Sequence, residues 1–399
     1  MKQRRSLNVQ ALALVLGSGI AQLLVAGLYI FTARQMQPSQ FGPIVTAIGL
    51  GLVVAGFVDL GSSAFWIREI ASLAITQEEL NARAGTRLAI AVAVGGMAVV
   101  VAAIAAPGFI AAGVLVVSTT LSQTMLVPLR GAQRAEAVGW LLVFARVAAL
   151  LMYLGQEAAG VNPGIALWTS LAFGDIAMSM SAVAATPSVE RLKFSWNGVK
   201  NPWEGAKWYA VSTLSTTAAQ LDLPMLSALS GATAAGIYGG VNRWTQPILV
   251  AIGAFTQAAA PFMAAEPKLS KLRKPLMRAS WILLAAVLMS LVLFATAPWL
   301  VRSMLGVEFS ESAPVLQLLA LGMLLNIVNQ PVTVALQSRR YDRAAAALVA
   351  ITAVTHLGIV AALARQLGAL SAGIGVLAAQ SVALMLTVGL VAVIVRSRR

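Results

Sequence analysis

Apolar runs long enough to cross a bilayer follow one another along nearly the whole 399-residue chain, and this limits its fold more than any other feature. A hydrocarbon core about 30 Å thick takes roughly 20 helical residues. Inside it, backbone polar groups must be satisfied within helices or a closed barrel. Runs of suitable length occupy 9–33, 43–66, 88–106, 109–127, 138–155, 164–186, 207–229, 237–263, 279–300, 313–337, 344–364 and 369–395. They predict an all-α polytopic membrane protein with twelve transmembrane helices. Charged residues make up 11% of the chain, against about 25% in a soluble domain. The run from Val9 to Ala33 is too long for the core of a cleavable signal and reads as a retained first helix. Pro107-Gly108 splits one apolar stretch and predicts a tight turn.

The formal net charge of +14 would suggest nucleic acid in a soluble protein, but the positions of the charges explain it differently. With the amino terminus inside, nearly all of the 28 Lys and Arg fall on one side. Only Arg34, Arg302 and Arg365 fall outside, and Arg146 and Arg243 lie within spans. The positive-inside rule then places both termini in the cytoplasm, with basic loops facing an anionic leaflet and no nucleic acid. The absence of Cys excludes disulfides and thiolate metal sites. One His and no HExxH speak against a zinc enzyme, and no cofactor is expected. The connection 191–206 divides the chain into two sets of six spans, 1–190 and 207–399. That predicts two lobes around a central cavity, as in many transporters.

The hairpin 207–263 carries Asp222 and Arg243 inside its apolar runs. Counted from the turn at about 1.5 Å per residue, both lie roughly 10–12 Å deep, so they can meet. Pro224 predicts a kink, since it cannot donate to the carbonyl of Gln220. Arg146 and Asp175 also match in depth and predict a buried pair, while Asp59 has no obvious partner. Charges at such depth usually face a partner or a wet cavity. Asp222, Asp59 and Asp175 are therefore candidates for coupling or gating, by proton or sodium. His356 reads as a packed, hydrogen-bonded residue. Polar residues recur at helical spacing. They include Ser18, Gln22, Tyr29 and Thr32 in the first span, and Ser212, Ser215 and Thr216 in the seventh. The eighth has Asn242, Gln246, Thr256 and Gln257, and the tenth Asn326, Asn329, Gln330, Thr333 and Gln337. Ser and Thr serve packing as readily as function; three amides within five residues point to a cavity lining.

Four groups of residues give the chain a resemblance to the polysaccharide-export, or oligosaccharide flippase, branch of the multidrug/oligosaccharidyl-lipid/polysaccharide (MOP) superfamily. They are Ala33-Arg34-Gln35-Met36 with Phe41-Gly42, and Asp59-Leu60-Gly61 with Ile67-Arg68-Glu69-Ile70-Ala71. The others are Leu221-Asp222 with Gly236-Ile237-Tyr238 and Arg243, and Leu305-Gly306-Val307-Glu308-Phe309 with Ala313-Pro314-Val315-Leu316. The resemblance implies a cavity open to one side at a time, in the inner membrane of a prokaryote. It implies a polyprenyl-diphosphate-linked oligosaccharide as substrate, with a polysaccharide polymerase or chain-length proteins as partners. Basic residues line such cavities, and Arg243, Arg34, Arg68 and Arg146 match that expectation. A cation-coupled drug antiporter of the same superfamily is the alternative within the class, and a membrane polymerase or glycosyltransferase the alternative outside it.

Overall fold

The computed structural model describes residues 7–193, 198–250, 252–253, 269–338 and 341–397, and all regular structure among them is helical. Seven helices precede the long connection: α1 (Leu7–Arg34), α2 (Pro38–Asp59), α3 (Ser62–Ala71), α4 (Gln77–Ala105), α5 (Ile110–Gly131), α6 (Ala135–Ala158) and α7 (Pro163–Ala185). After it come α8 (Lys207–Ala219), α9 (Asp222–Ser230), α10 (Ala232–Val241), α11 (Leu269–Met304), α12 (Ser312–Ser338), α13 (Asp342–Leu367) and α14 (Leu370–Ser397). Among the described residues, ten helices are long and apolar enough to cross a membrane: α1, α2, α4 to α7 and α11 to α14. The chain is an all-α polytopic membrane protein.

Local chemistry sets several boundaries. The Thr76 side chain accepts from the amide of Glu79, and Glu78 and Glu79 sit in the first turn of α4, so the helix starts at Gln77. It therefore begins three turns before the span predicted at 88. Asn162 caps α7 ahead of Pro163, and the predicted turn at Pro107-Gly108 is a 3-10 turn over Pro107–Phe109.

The predicted spans 207–229 and 237–263 are corrected. The first breaks at Gln220-Leu221 into α8 and α9. Pro224 is the third residue of α9, where its missing N–H would have no intrahelical partner. The expected kink is thus a complete interruption. The second span opens as α10, passes through a 3-10 turn at Asn242–Thr245, and is helical again at 246–250 and 252–253. Thr256 and Gln257 lie outside the described residues.

Packing divides the chain into two compact units, Met1–Met36 with Pro43–Pro224, and Gln37–Gly42 with Met225–Arg399. The connection 191–206 and α8 therefore group with the first unit, and the division falls after Pro224. In the first unit α6 packs on α1 and α7, α5 on α4 and α7, and α3 on α5 and α8. In the second, α12 packs on α11 and α14, and α13 on α14. Ile248, Ile252, Ala286, Met323 and Ile327 form a core there. At the start of α2, in the second unit, Gly42 lies against the carbonyl of Ala232, and Gly236 against that of Pro38. A Cβ at either position would collide with backbone, so the first turns of α2 and α10 cross closely only because both are glycine.

Candidate functional site

The densest polar assembly among the described residues lies inside the first unit, where α2 ends. Leu60 (φ 40°) and Gly61 (φ 74°) are left-handed and stop the helix after Asp59. A Cβ on Gly61 would also sit 2.5 Å from the backbone of Tyr209. The Asp59 carboxylate then receives the start of α3. Oδ2 accepts from the amide of Gly61 at 3.1 Å, and Oδ1 from the amide of Ser63 at 3.1 Å and its hydroxyl at 2.6 Å. A carboxylate on the free amides of a helix start is favourable both as a cap and against the helix dipole.

The expectation that Asp59 lacks a partner is corrected. Arg87 Nη1 donates to its Oδ1 at 2.6 Å and reaches the hydroxyls of Ser62 and Ser63 at 2.7 and 2.8 Å. Nη2 donates to Thr124 Oγ1 at 2.7 Å, and that hydroxyl donates to the carbonyl of Thr120 at 2.6 Å. The guanidinium lies 4.3 Å from the centre of the Trp66 ring, and Arg87 is fully buried. One cation thus joins the broken end of α2 to α3, α4 and α5. Sequence reading missed Arg87 because a span starting at 88 left it among the loop cations. The Thr76–Glu79 cap was the available signal, since it puts Arg83 and Arg87 one turn apart on one helical face.

A second pair lies deeper. Arg146 donates to Asp175 Oδ1 at 3.2 Å, and Thr119 donates to Asp175 Oδ2 at 2.9 Å. These two residues meet as their depths predicted. Gly174 lies against the carbonyl of Ala145, with no room for a Cβ, and this close approach of α6 and α7 brings them within reach. Beyond this pair, Thr32 bonds Tyr153 at 3.2 Å and Gln35 donates to Glu157 at 2.6 Å. Gln22 is half-buried on α1, and Arg34 is exposed at its end.

Arg68 stands apart from these. Its guanidinium lies over the rings of Phe65 and Tyr209, 5.4 and 5.3 Å from their centres. Its side chain is 58% exposed and bonds Glu69 at 2.8 Å. Its hydrogen bonds to Glu69 raise its pKa further above the usual range, against a smaller lowering by desolvation, so its charge is fixed at any physiological pH.

Residues 187–193 and 198–206 form a strap along α4 in the first unit. Gln77 donates to the carbonyl of Arg191 at 3.2 Å, and Asn81 and Thr86 accept from the amides of Lys193 and Lys200. Arg83 donates to the carbonyl of Glu204 at 2.9 Å and to its carboxylate at 3.2 Å.

In the second unit the 3-10 turn Asn242–Thr245 packs on α12, which carries Asn326, Asn329 and Gln330. Asn329 donates to both the carbonyl and the side-chain oxygen of Gln380 at 2.9 Å, turning it toward α14. The side-chain oxygens of Asn242 and Asn329 are buried without a partner among the described residues. Arg243 and Gln246 are half-buried. Asp222 accepts from the amide of Leu223 at 2.7 Å in the first unit, whereas Arg243 belongs to the second. His356 is buried, and a Cβ on Gly375 of α14 would lie 2.9 Å from its Nδ1.

No protein-family model and no curated protein matches the sequence. Solved structures do match its backbone. An inward-facing multidrug resistance MATE family transporter of the MOP superfamily aligns with a TM-score of 0.63 at 15% identity, covering 100% of this chain and 98% of that one. The lipid II flippase MurJ, in an inward closed conformation, aligns with a TM-score of 0.71 at 11% identity, covering 95% and 87%. A MOP superfamily transporter from Pyrococcus furiosus aligns at 0.53 and 14% identity, covering 95% and 93%. Over nearly its whole length, the chain has the membrane fold of MOP-superfamily transporters.

Proposed function

We propose that this protein is a flippase that moves a polyprenyl-diphosphate-linked oligosaccharide from the cytoplasmic to the outer leaflet of a prokaryotic inner membrane by alternating access. The observation that carries the reading is the alignment, over 95% of the chain, with a protein that flips lipid II. Arg68 supports it. An exposed guanidinium over two aromatic rings, exchanging its bonds to Glu69, is a planar fork suited to bidentate bonding of a diphosphate. On the charge-based topology it sits on the cytoplasmic side, where such a substrate is loaded. Arg243, Asn242 and Gln246, with Asn326 and Gln330, are the polar lining assigned to the second unit.

A cation-coupled antiporter is the second reading, favoured by the match of a MATE transporter to the whole chain. It needs a carboxylate free to take a proton or sodium. Asp59 and Asp175 are each held by a guanidinium, which weighs against them in that role, and Asp222 accepts from the amide of Leu223. The two readings separate in proteoliposomes. A flippase makes a fluorescent polyprenyl-diphosphate oligosaccharide accessible to a reagent in the opposite compartment. Movement of a cationic dye driven by a pH or sodium gradient, with no lipid movement, would replace the flippase by the antiporter.

A further inference from the structure

We propose that the second half of the strap, residues 198–206, is a detachable seal that controls water access to the buried Asp59–Arg87 pair.

Three observations lead there. The strap lies directly on the chamber. Trp203 Nε1 donates to the carbonyl of Val58, the residue before Asp59, at 3.0 Å. Ala206 is fully buried in a cluster with Phe65, Trp66, Leu80, Ala84 and Val127, and the Trp66 ring is the one stacked on Arg87. Strap, indole, guanidinium and carboxylate therefore form one continuous stack.

The closed chamber is also short of acceptors. Trp66 Nε1, Arg83 Nε and Arg87 Nε are buried with no hydrogen-bond partner among the described residues. A buried donor without an acceptor costs free energy that water would restore. Closing the strap over these donors is thus unfavourable at three points.

Two of the bonds that hold the seal are, lastly, weak ones, beside the stronger bonds of Arg83 to the Glu204 carbonyl and Trp203 to the Val58 carbonyl. The amide of Lys200 reaches Thr86 Oγ1 at 3.3 Å. The Glu204 carboxylate meets Arg83 at 3.2 Å with its own side chain 65% exposed, where solvent screens the pair. Unsatisfied donors beneath a cover held in part by such bonds favour its local opening. Opening hydrates the guanidinium that ties the end of α2 to α4 and α5, and so loosens that tie.

The chain has no cysteine, which makes the test direct. Ala84, fully buried beneath the strap, is changed to Cys as a reporter. Thr86→Cys and Lys200→Cys are added to bond the strap shut. In purified protein in nanodiscs, a cationic methanethiosulfonate should label position 84, read site by site by mass spectrometry, at least about tenfold more slowly with the disulfide between positions 86 and 200 oxidised than with it reduced. Equal rates in the two states, fast or slow, overturn the seal. Independently, Glu204→Gln in the chain carrying only the reporter should speed labelling about two- to fivefold. An unchanged rate overturns the seal as well, and this arm decides alone where the disulfide does not form. Neither arm uses a substrate, so their failure leaves the flippase reading standing, and failure of the flippase reading leaves the seal standing.

Discussion

The two compact units place polarity in the membrane by opposite means. The first pairs two buried carboxylates, Asp59 and Asp175, with guanidinium groups inside itself. Asp59 meets Arg87, Asp175 meets Arg146, and the hydroxyls of Ser62, Ser63, Thr119 and Thr124 bond the same groups. The described part of the second carries mainly neutral amides beside Arg243, with Asn329 bonded to Gln380 and Asn242 at a helix interruption. A buried pair gives little net stability when intact but is very costly to break, because one charge is left behind. An amide can exchange one neutral partner for another or for water. The first unit is therefore built to keep its internal contacts, and the polar contacts of the second can be exchanged at small cost.

Stability measurements can break or sharpen this contrast. The largest effect is expected for Arg87→Ala, which strands Asp59. It should cost about 3–5 kcal/mol, seen as lost yield and a lowered melting temperature of the purified protein. Replacing both partners by apolar residues, Asp59→Leu with Arg87→Met, should recover much of that loss. A double variant as unstable as Arg87→Ala would mean that the wider hydroxyl network, rather than the pair, carries the cost. Arg146→Ala comes next, at about 1.5–3 kcal/mol, because the guanidinium is 20% exposed and water can partly solvate the Asp175 left behind. Asn329→Leu should cost only about 0.6 kcal/mol and no more than ~1.7. If its melting temperature falls as far as that of Arg87→Ala, the contrast between the units fails. Arg68→Ala should leave stability within about 0.5 kcal/mol, since the residue is exposed. It should nonetheless abolish flipping of the diphosphate-linked lipid; full transport would remove Arg68 from the substrate path.

Hydropathy made the helical class legible, because the bilayer fixes the length of an apolar run. The Arg146–Asp175 pair was legible too, since α6 and α7 are consecutive antiparallel helices and residue counting converts directly to depth. Asp59–Arg87 was not. Hydropathy starts a helix where the apolar residues start, but the capped helix starts at Gln77, and the intervening turns hold the cation. The breaks at Gln220-Leu221 and Asn242–Thr245 were illegible for a related reason: hydropathy reports transfer from water and is blind to where the backbone bonding pattern changes. Pro224 marked one break to within four residues, but the chain places it inside the helix that follows.

The strap has a consequence for biosynthesis. Arg83 and Thr86 leave the ribosome 121 and 114 residues before the partners they bond in the finished protein, Glu204 and Lys200. Through that interval Arg83 has Glu79 but not Glu204, and water or lipid headgroups can stand in for the missing partner. A fragment ending near residue 190 would lack that partner permanently. The earliest point at which the first unit can be complete is thus after the strap and α8 have emerged, well past the last of its six predicted spans.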